Sequence, residues 1–332
     1  MATQLAGGHG GVDKSREVAD LNRFRLSGIN TFDCADIYTG VESLLGDFIE
    51  TTRHKYGNEA AQKIKIHTKF VPDLHLLDIC DASYVEKIVD RSLERLKIDQ
   101  VDLVQFFWWD LSIGSAIEAF MSLKRLQDKG KIRLLGVTNW DALQIEPFLD
   151  AGIDVVSAQV QYSLLDHRPA KTLVDWSSKR QAKLLCYGTL AGGFLTEKWL
   201  GRQDPGFSFN NRSLVKYRLI IDEFGGWDLF QALIKVLKEL SKKHGVSISA
   251  IVTRYILDLP QVAAVIIGSR YSDNLASTLS VFQFELDDKD RTAILSVLDE
   301  RKGPNGVVYE LESNRSGRHG SIMKYDLNSL TS

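Results

Sequence analysis

The sequence predicts an α/β protein, a (β/α)8 TIM barrel in which each of eight parallel strands is followed by a helix. Three observations carry that expectation. Short apolar runs alternate with amphipathic stretches along almost the whole chain, and this alternation builds a parallel sheet with right-handed crossovers. Eight such units occur, a number that favours closure into a barrel, with an open doubly wound sheet as the structural alternative. Polar side chains stand at the ends of several apolar runs, where such barrels carry their chemistry.

In chain order, the strands are expected at Thr3–Leu5, Ile29–Phe32, Ile64–Lys69, Val101–Phe107, Ile132–Val137, Val155–Val160, Ala182–Tyr187 and Ala263–Ile267. Apolar residues at three- and four-residue spacing predict helices over Val41–Thr52, Ala82–Leu96, Gly114–Lys129, Asp141–Leu149 and Ala170–Arg180. Further helices are expected over Asp228–Lys243, Ser247–Leu257 and Ser272–Leu279. Two stretches fall outside the pattern. Gly188–Gly226, after the seventh strand, is rich in Gly, Asn and aromatics and reads as a long functional loop. Residues 303–332 read as a C-terminal tail laid on the barrel. No shift in composition divides the chain, so residues 1–332 are expected to form one domain.

Composition narrows the function. Hydrophobic residues make up 44% and charged residues 25% of the 332 positions, the balance of a soluble globular protein. A net charge of −2 leaves no basic footprint for nucleic acid or an anionic membrane surface. No apolar run reaches the roughly 18 residues of a membrane-spanning helix. Cys34, Cys80 and Cys186 are too few and too scattered for a disulfide framework or a zinc site, and no metal is expected. They fit a reducing compartment. Met1–Gly8 lacks a basic region followed by a long apolar stretch, so the expected location is cytoplasmic. No G-x-S-x-G, H-E-x-x-H or Walker motif occurs, which leaves hydrolase, zincin and NTPase readings without support.

Three strand-end residues suggest proton transfer. Asp33 ends the second strand, Tyr38 follows five residues later, and Lys69 ends the third strand. A tyrosine hydroxyl titrates near about 10 and is a poor acid at neutral pH. An ammonium beside it stabilises the phenolate, and a carboxylate holds that ammonium in place. Asp, Lys and Tyr so arranged can donate a proton to a carbonyl oxygen or take one from an alcohol.

Ordered motifs at matching spacing resemble the aldo-keto reductase superfamily over nearly the whole chain. They are Gly28–Tyr38 with Glu42–Gly46, Thr68-Lys69, Val101–Trp108, Gly136–Trp140, Gln159–Tyr162, Tyr187–Gly193 and Ile267–Arg270. The resemblance implies a barrel that binds NADP(H) at its C-terminal mouth, acts on a small molecule, and exists as a monomer or weak homodimer. It implies Tyr38 as general acid/base, tuned by Lys69 and Asp33. Asn139 and Gln159 would hold the nicotinamide carboxamide, and Tyr187 would stack on the ring. Gly188, Leu190 and Gly192 would follow the pyrophosphate. Gly268, Ser269 and Arg270, with Asn274, would take the 2′-phosphate, where a guanidinium and unpaired amides suit an anion.

On the adenine side the chain departs from the family, with Ser277 and Thr278 where many members carry Glu and Asn and Asn274 in a slot that is often Arg or Gln; a further departure falls in the catalytic group. The family's catalytic histidine falls on Phe107, which cannot donate a hydrogen bond to a developing oxyanion; loss of such a donor costs about 2.7–4 kcal/mol. His67 shares the strand face of Lys69 one layer deeper and is expected to be structural; His9 and His75 are loop residues. Phe107 with Trp108 and Trp109 reads as an apolar pocket for a bulky hydrophobic metabolite, with Phe224 and Trp227 as a lid. The leading expectation is an NADPH-dependent oxidoreductase acting on a hydrophobic carbonyl or enone of secondary metabolism. The alternatives are a non-redox isomerase, dehydratase or cyclase that uses Tyr38 and Lys69, and a binding protein that senses the cofactor.

Overall fold

The computed structural model describes residues 14–269 and 271–328. These fall into two compact units: one holds the chain through Ala158, the stretch Gly268–Ser272 and the residues from Lys324 onward, and the other holds Gln159–Ile267 and Asp273–Met323. The expected strand at Thr3–Leu5 and the loop around His9 lie outside the described residues, as does Arg270. Strand numbering therefore begins at the second expected strand.

In the first unit, β1 (Thr31–Asp33), β2 (Lys65–Phe70), β3 (Val101–Phe106) and β4 (Ile132–Thr138) lie parallel in chain order. Their registers align Asp33 with His67, and Lys69 with Gln105. Helices Val41–Tyr56, Ala82–Leu96, Ala116–Asp128 and Ala142–Asp150 follow these strands in turn. Side-chain caps begin the later helices. Asp81 accepts from the Tyr84 amide, Ser115 from the Glu118 amide, and Asp141 with Gln144 forms a capping box, each satisfying amide groups that the first helical turn leaves unpaired.

Strand alternation decides where the aromatic run of β3 goes. Phe106 points into the helix layer, stacked on Phe120 at 4.5 Å between centroids and in contact with Phe148 and Trp140. Trp108 stacks on Phe106 at 5.9 Å and joins that same layer. Gln105 and Phe107 take the opposite face.

β5 (Ser157–Gln161) is buried along its whole length. In the second unit, β6 (Lys183–Tyr187) and β7 (Val262–Val265) pair in parallel. Helix Pro169–Arg180 precedes β6, and Trp227–His244 and Ile248–Leu257 follow it. The segment read as one long loop, 188–226, contains a helix, Arg212–Phe224. Asn211 caps its start by accepting from the Ser213 amide, and Gly225 ends it. Helices Lys14–Leu26, Asn58–Gln62, Asp288–Leu298 and Glu310–Ser313 also lie outside the sequence expectation; Asp288–Leu298 starts on a capping box of Asp287 and Asp290. The chain from 303 on is anchored twice: Glu312 is buried against Arg168 in the second unit, and Asn328 is buried in the first.

Gly46 marks the tightest helix contact. A Cβ there would lie 2.2 Å from the Arg95 carbonyl oxygen, so helix Val41–Tyr56 meets helix Ala82–Leu96 backbone to backbone. On an open helix, Gly to Ala gains about 1 kcal/mol. Here the added methyl must force the helices apart, a cost of about 1–3 kcal/mol. Gly46→Ala is therefore expected to lower the midpoint of chemical denaturation, and a raised midpoint would show that the contact is loose.

Candidate active site

The first unit gathers a compact polar group on three adjacent strand ends. Asp33 closes β1, and Lys69 stands near the end of β2. Lys69 Nζ donates to Asp33 Oδ2 at 2.6 Å and to the Cys34 carbonyl at 2.7 Å. Gln105 on β3 donates from Nε2 to the other carboxylate oxygen, Asp33 Oδ1, at 3.2 Å. The parallel register makes this meeting possible, because it brings Lys69 level with Gln105. Tyr38 sits on the turn after β1, where its amide donates to the Ala35 carbonyl. Its ring centroid is 5.4 Å from Lys69 Nζ. Among the described residues, the Tyr38 hydroxyl bonds to no other group.

Electrostatics set the charge states. Burial, the largest influence on Lys69, disfavours its ammonium, but Asp33 and Tyr38 outweigh burial and hold its pKa above the ordinary value. For Tyr38 the largest influence is the Lys69 charge, which lowers its pKa as expected. Burial and the negative charge of Asp33, with Cys34 and Asp36, prevail, and the net shift is upward. Lys69 thus stays cationic and Tyr38 stays protonated across the neutral range. His67 is held down by burial, which favours its neutral imidazole.

Phe107 is buried and meets Trp109 edge to face at 4.7 Å. Trp109 donates from Nε1 to the Pro72 carbonyl and meets Tyr325 at 4.9 Å. Trp108 faces the helix layer and donates to the Ile113 carbonyl, so it does not share the face of Phe107. The Tyr325 segment is fastened to the loop after β2. The Leu74 amide donates to the Tyr325 carbonyl, His75 bonds Asp326 at 2.7 Å through Nδ1, and the Asn328 amide donates to Asp73. Asn328 also donates from its side chain to Asp36, a carboxyl buried beside the Tyr38 turn. Burial, the largest influence, pushes Asp36 up to about 7 against the hydrogen bond from Asn328.

Asn139, at the end of β4, holds a left-handed backbone with φ of 62°, a conformation that asparagine tolerates better than most residues. Gly268 is open, with room for a Cβ, and Ser269 Oγ donates to the Tyr271 carbonyl.

The second unit holds the remaining candidates. Gln159 is buried on β5, and Tyr187 ends β6, half-buried. The loop that follows is shaped by Tyr217. A Cβ at Gly188 would lie 2.4 Å from the Tyr217 hydroxyl, and one at Gly192 would lie 2.7 Å from its ring. Both glycines thus make room for an aromatic ring, besides baring backbone. The amides of Thr189, Leu190 and Gly192 donate to no group among the described residues. Free amides on a tight turn attract anions, so this loop fits a phosphate-bearing cofactor. Asn274 stands exposed before the short helix Leu275–Leu279. Phe224 is fully buried, and Trp227 packs with Phe194, Trp199 and Phe230 while donating to the Arg202 carbonyl.

Comparison with known proteins fits this arrangement. Residues 2–299 match the aldo/keto reductase family. The chain belongs to that family, and its class is oxidoreductase. Among its relatives, flagellar radial spoke protein 5 of Chlamydomonas reinhardtii is 28% identical over 261 residues, or 68% of this chain. The chain spans about half of that relative's length, 49%. Aldo-keto reductase YhdN of Bacillus subtilis is 24% identical over 295 residues, covering 87% of this chain and 86% of its own. A solved glycerol dehydrogenase from Gluconobacter oxydans superposes with a TM-score of 0.74 at 24% identity, covering 90% of this chain and 89% of that one. That likeness shows the (β/α)8 barrel fold.

Sequence reading passed over Gln105, although its place two residues before Phe107 puts it on the same strand face. It also passed over Lys216, whose Nζ lies 5.2 Å from the Tyr187 ring centroid.

Asp33→Asn would leave the Lys69 ammonium buried without its counter-charge, a loss of about 3–5 kcal/mol. In the native protein the raised Lys69 pKa contributes stability that is complete below its unfolded value and lost as pH rises through the folded one. In the variant burial prevails, the Lys69 pKa drops, and the penalty fades as pH rises. Denaturation across pH 7–10 is expected to show the gap between the two proteins narrowing with pH. A constant gap would mean that Asp33 does not hold the charge of Lys69.

Proposed function

We propose that the chain is an NADPH-dependent reductase acting on a bulky, hydrophobic carbonyl or enone metabolite, with Tyr38 as the proton donor. The observation that supports this most directly is the Asp33–Lys69 pair beside a tyrosine whose hydroxyl has no hydrogen-bond partner among the described residues. NADPH, when bound, supplies the hydride. Tyr38 delivers the proton to the substrate oxygen, and the Lys69 ammonium, fixed by Asp33 and the Cys34 carbonyl, stabilises the phenolate left behind. Gln105 holds the second oxygen of Asp33, so the carboxylate cannot turn away from Lys69. Asn139 and Gln159 match the amide of a nicotinamide with amides of their own. Tyr187 offers a flat face to the ring, and the loop after it offers free amides to the phosphates. Gly268, Ser269 and Arg270 favour NADPH over NADH by receiving a 2′-phosphate. Phe107 and Trp109 turn an apolar wall to the substrate, in keeping with hydrophobic bulk.

The raised Tyr38 pKa keeps the acid form present through neutral pH, so the rate of reduction should hold steady with pH and fall only on the alkaline side. Tyr38→Phe should abolish reduction of a hydrophobic enone or ketone while leaving NADPH affinity within about twofold. In a single turnover, product should form together with loss of the reduced-nicotinamide absorbance. Product with the absorbance unchanged would overturn the reductase reading in favour of a non-redox acid/base catalyst.

Phe107→His restores a donor at the oxyanion and is expected to raise kcat on a simple aldehyde by about a hundredfold. It should also raise KM for the bulky substrate. Unchanged kinetics on both would remove Phe107 from the substrate wall.

A further inference from the structure

Within electrostatic reach of Tyr187, the candidate nicotinamide platform, lies a buried set of charges that proton transfer does not use. Arg168 Nη2 bonds Asp166 Oδ2 at 2.7 Å, and its Nη1 bonds Glu312 Oε2 at 3.0 Å. All three side chains are at most 2% exposed. Gln161 donates to Asp166 as well. Two carboxylates and one guanidinium leave this trio with a single net negative charge.

Lys216 supplies the missing cation. It lies on helix Arg212–Phe224, with Nζ 5.2 Å from the centroid of Tyr187 and 5.6 Å from that of Tyr217. Among the described residues it makes no hydrogen bond and no ion pair. Its charge is nonetheless felt by the trio. Burial would raise the Glu312 pKa, but Lys216 and then Arg168 overcome burial and hold it down at about 2. Burial, the largest influence on Lys216 itself, lowers its pKa from the ordinary lysine value, while Glu312 and Asp166 stabilise its ammonium against that pull. The side chain is committed to no one carboxylate and rests against the rings.

We infer that Lys216 sets the redox preference of the cofactor site, weakening the hold on oxidised nicotinamide relative to reduced. The inference rests on the reading of Tyr187 as the surface on which the nicotinamide stacks. The oxidised ring carries a positive charge and the reduced ring carries none. A fixed ammonium within a few ångströms of the platform repels only the first, and it does so from either face of Tyr187. At an effective dielectric of about 20 and a separation of about 8 Å, the repulsion alters the ratio of affinities by roughly tenfold or more. Without Lys216, the trio would present its net negative charge to the same ring and attract the oxidised form. The consequence for turnover is directional: reduced cofactor is retained and oxidised cofactor leaves.

The test is a pair of fluorescence titrations, NADPH and NADP+, on the wild-type protein and on Lys216→Met, which keeps the apolar stem of the side chain. The ratio of the NADP+ to the NADPH dissociation constant should fall about tenfold in the variant, with NADPH affinity changed by no more than about twofold. Lys216→Arg should keep the native ratio. Should Lys216→Met fail to fold, Lys216→Gln carries the same expectation. A ratio unchanged in the neutral variants, or a ratio altered equally in Lys216→Arg, overturns the inference while leaving the cofactor site standing. Failure of the wild-type protein to bind either nucleotide overturns the cofactor reading and this inference with it.

Discussion

The buried ion pair between Asp33 and Lys69 is the constraint around which the first unit is organised. A charge removed from water is tolerated only where partners satisfy it, and the partners here come from the strands on both sides of β2. Asp33 ends β1, the Cys34 carbonyl follows it, and Gln105 stands on β3. The parallel register that lines Lys69 up with Gln105 is thus a requirement of the charge as much as of the sheet. Tyr38 inherits its surroundings from this pair. The lysine pulls its pKa down, while burial and the neighbouring acids push harder the other way. The result is a tyrosine kept protonated by its environment.

Phe107 belongs to a set of rings held by polar bonds at their edges. Trp109 is pinned by its indole N–H to the Pro72 carbonyl, and Tyr325 meets it from the far end of the chain. An imidazole at 107 would bring a polar group that needs a partner of its own; a phenyl ring needs only contact. The polar half and the apolar half of the first unit are therefore built by different rules, one by charge balance and the other by ring packing.

Much of this was legible in the sequence where the signal is local. Asp33 and Lys69 stand at the ends of apolar runs. The sequence reading put Trp108 in the pocket with Phe107 and Trp109, whereas strand alternation sends it to the helix layer. Other features escaped for physical reasons. Helix Arg212–Phe224 lies among glycines, asparagines and aromatics, and it buries Tyr217, Arg218, Leu219, Ile220 and Ile221 in sequence. That leaves no single apolar stripe to betray its period, although Asn211 and Gly225 mark its ends. Gly188 and Gly192 were read for their approach to phosphate, while their space is also claimed by Tyr217, a contact across more than 20 positions that no spacing rule reveals. Gln105 was legible by parity alone. Lys216 was not, because its importance depends on Arg168, Asp166 and Glu312, which are brought to it only by folding.

The side chain of Asn328 reaches Asp36 across 292 positions of sequence, and its neighbour Tyr325 closes on Trp109. The rim beside Tyr38 is thus written in a stretch of chain that, among the described residues, contributes no strand to the sheet. Such a stretch can diverge without disturbing β1–β4, provided that its few anchors survive. The rim and the charged group on the strands are in this way open to separate inheritance: the strands can be kept through evolution while the rim is rewritten, and a designer could graft a new rim onto the same strands.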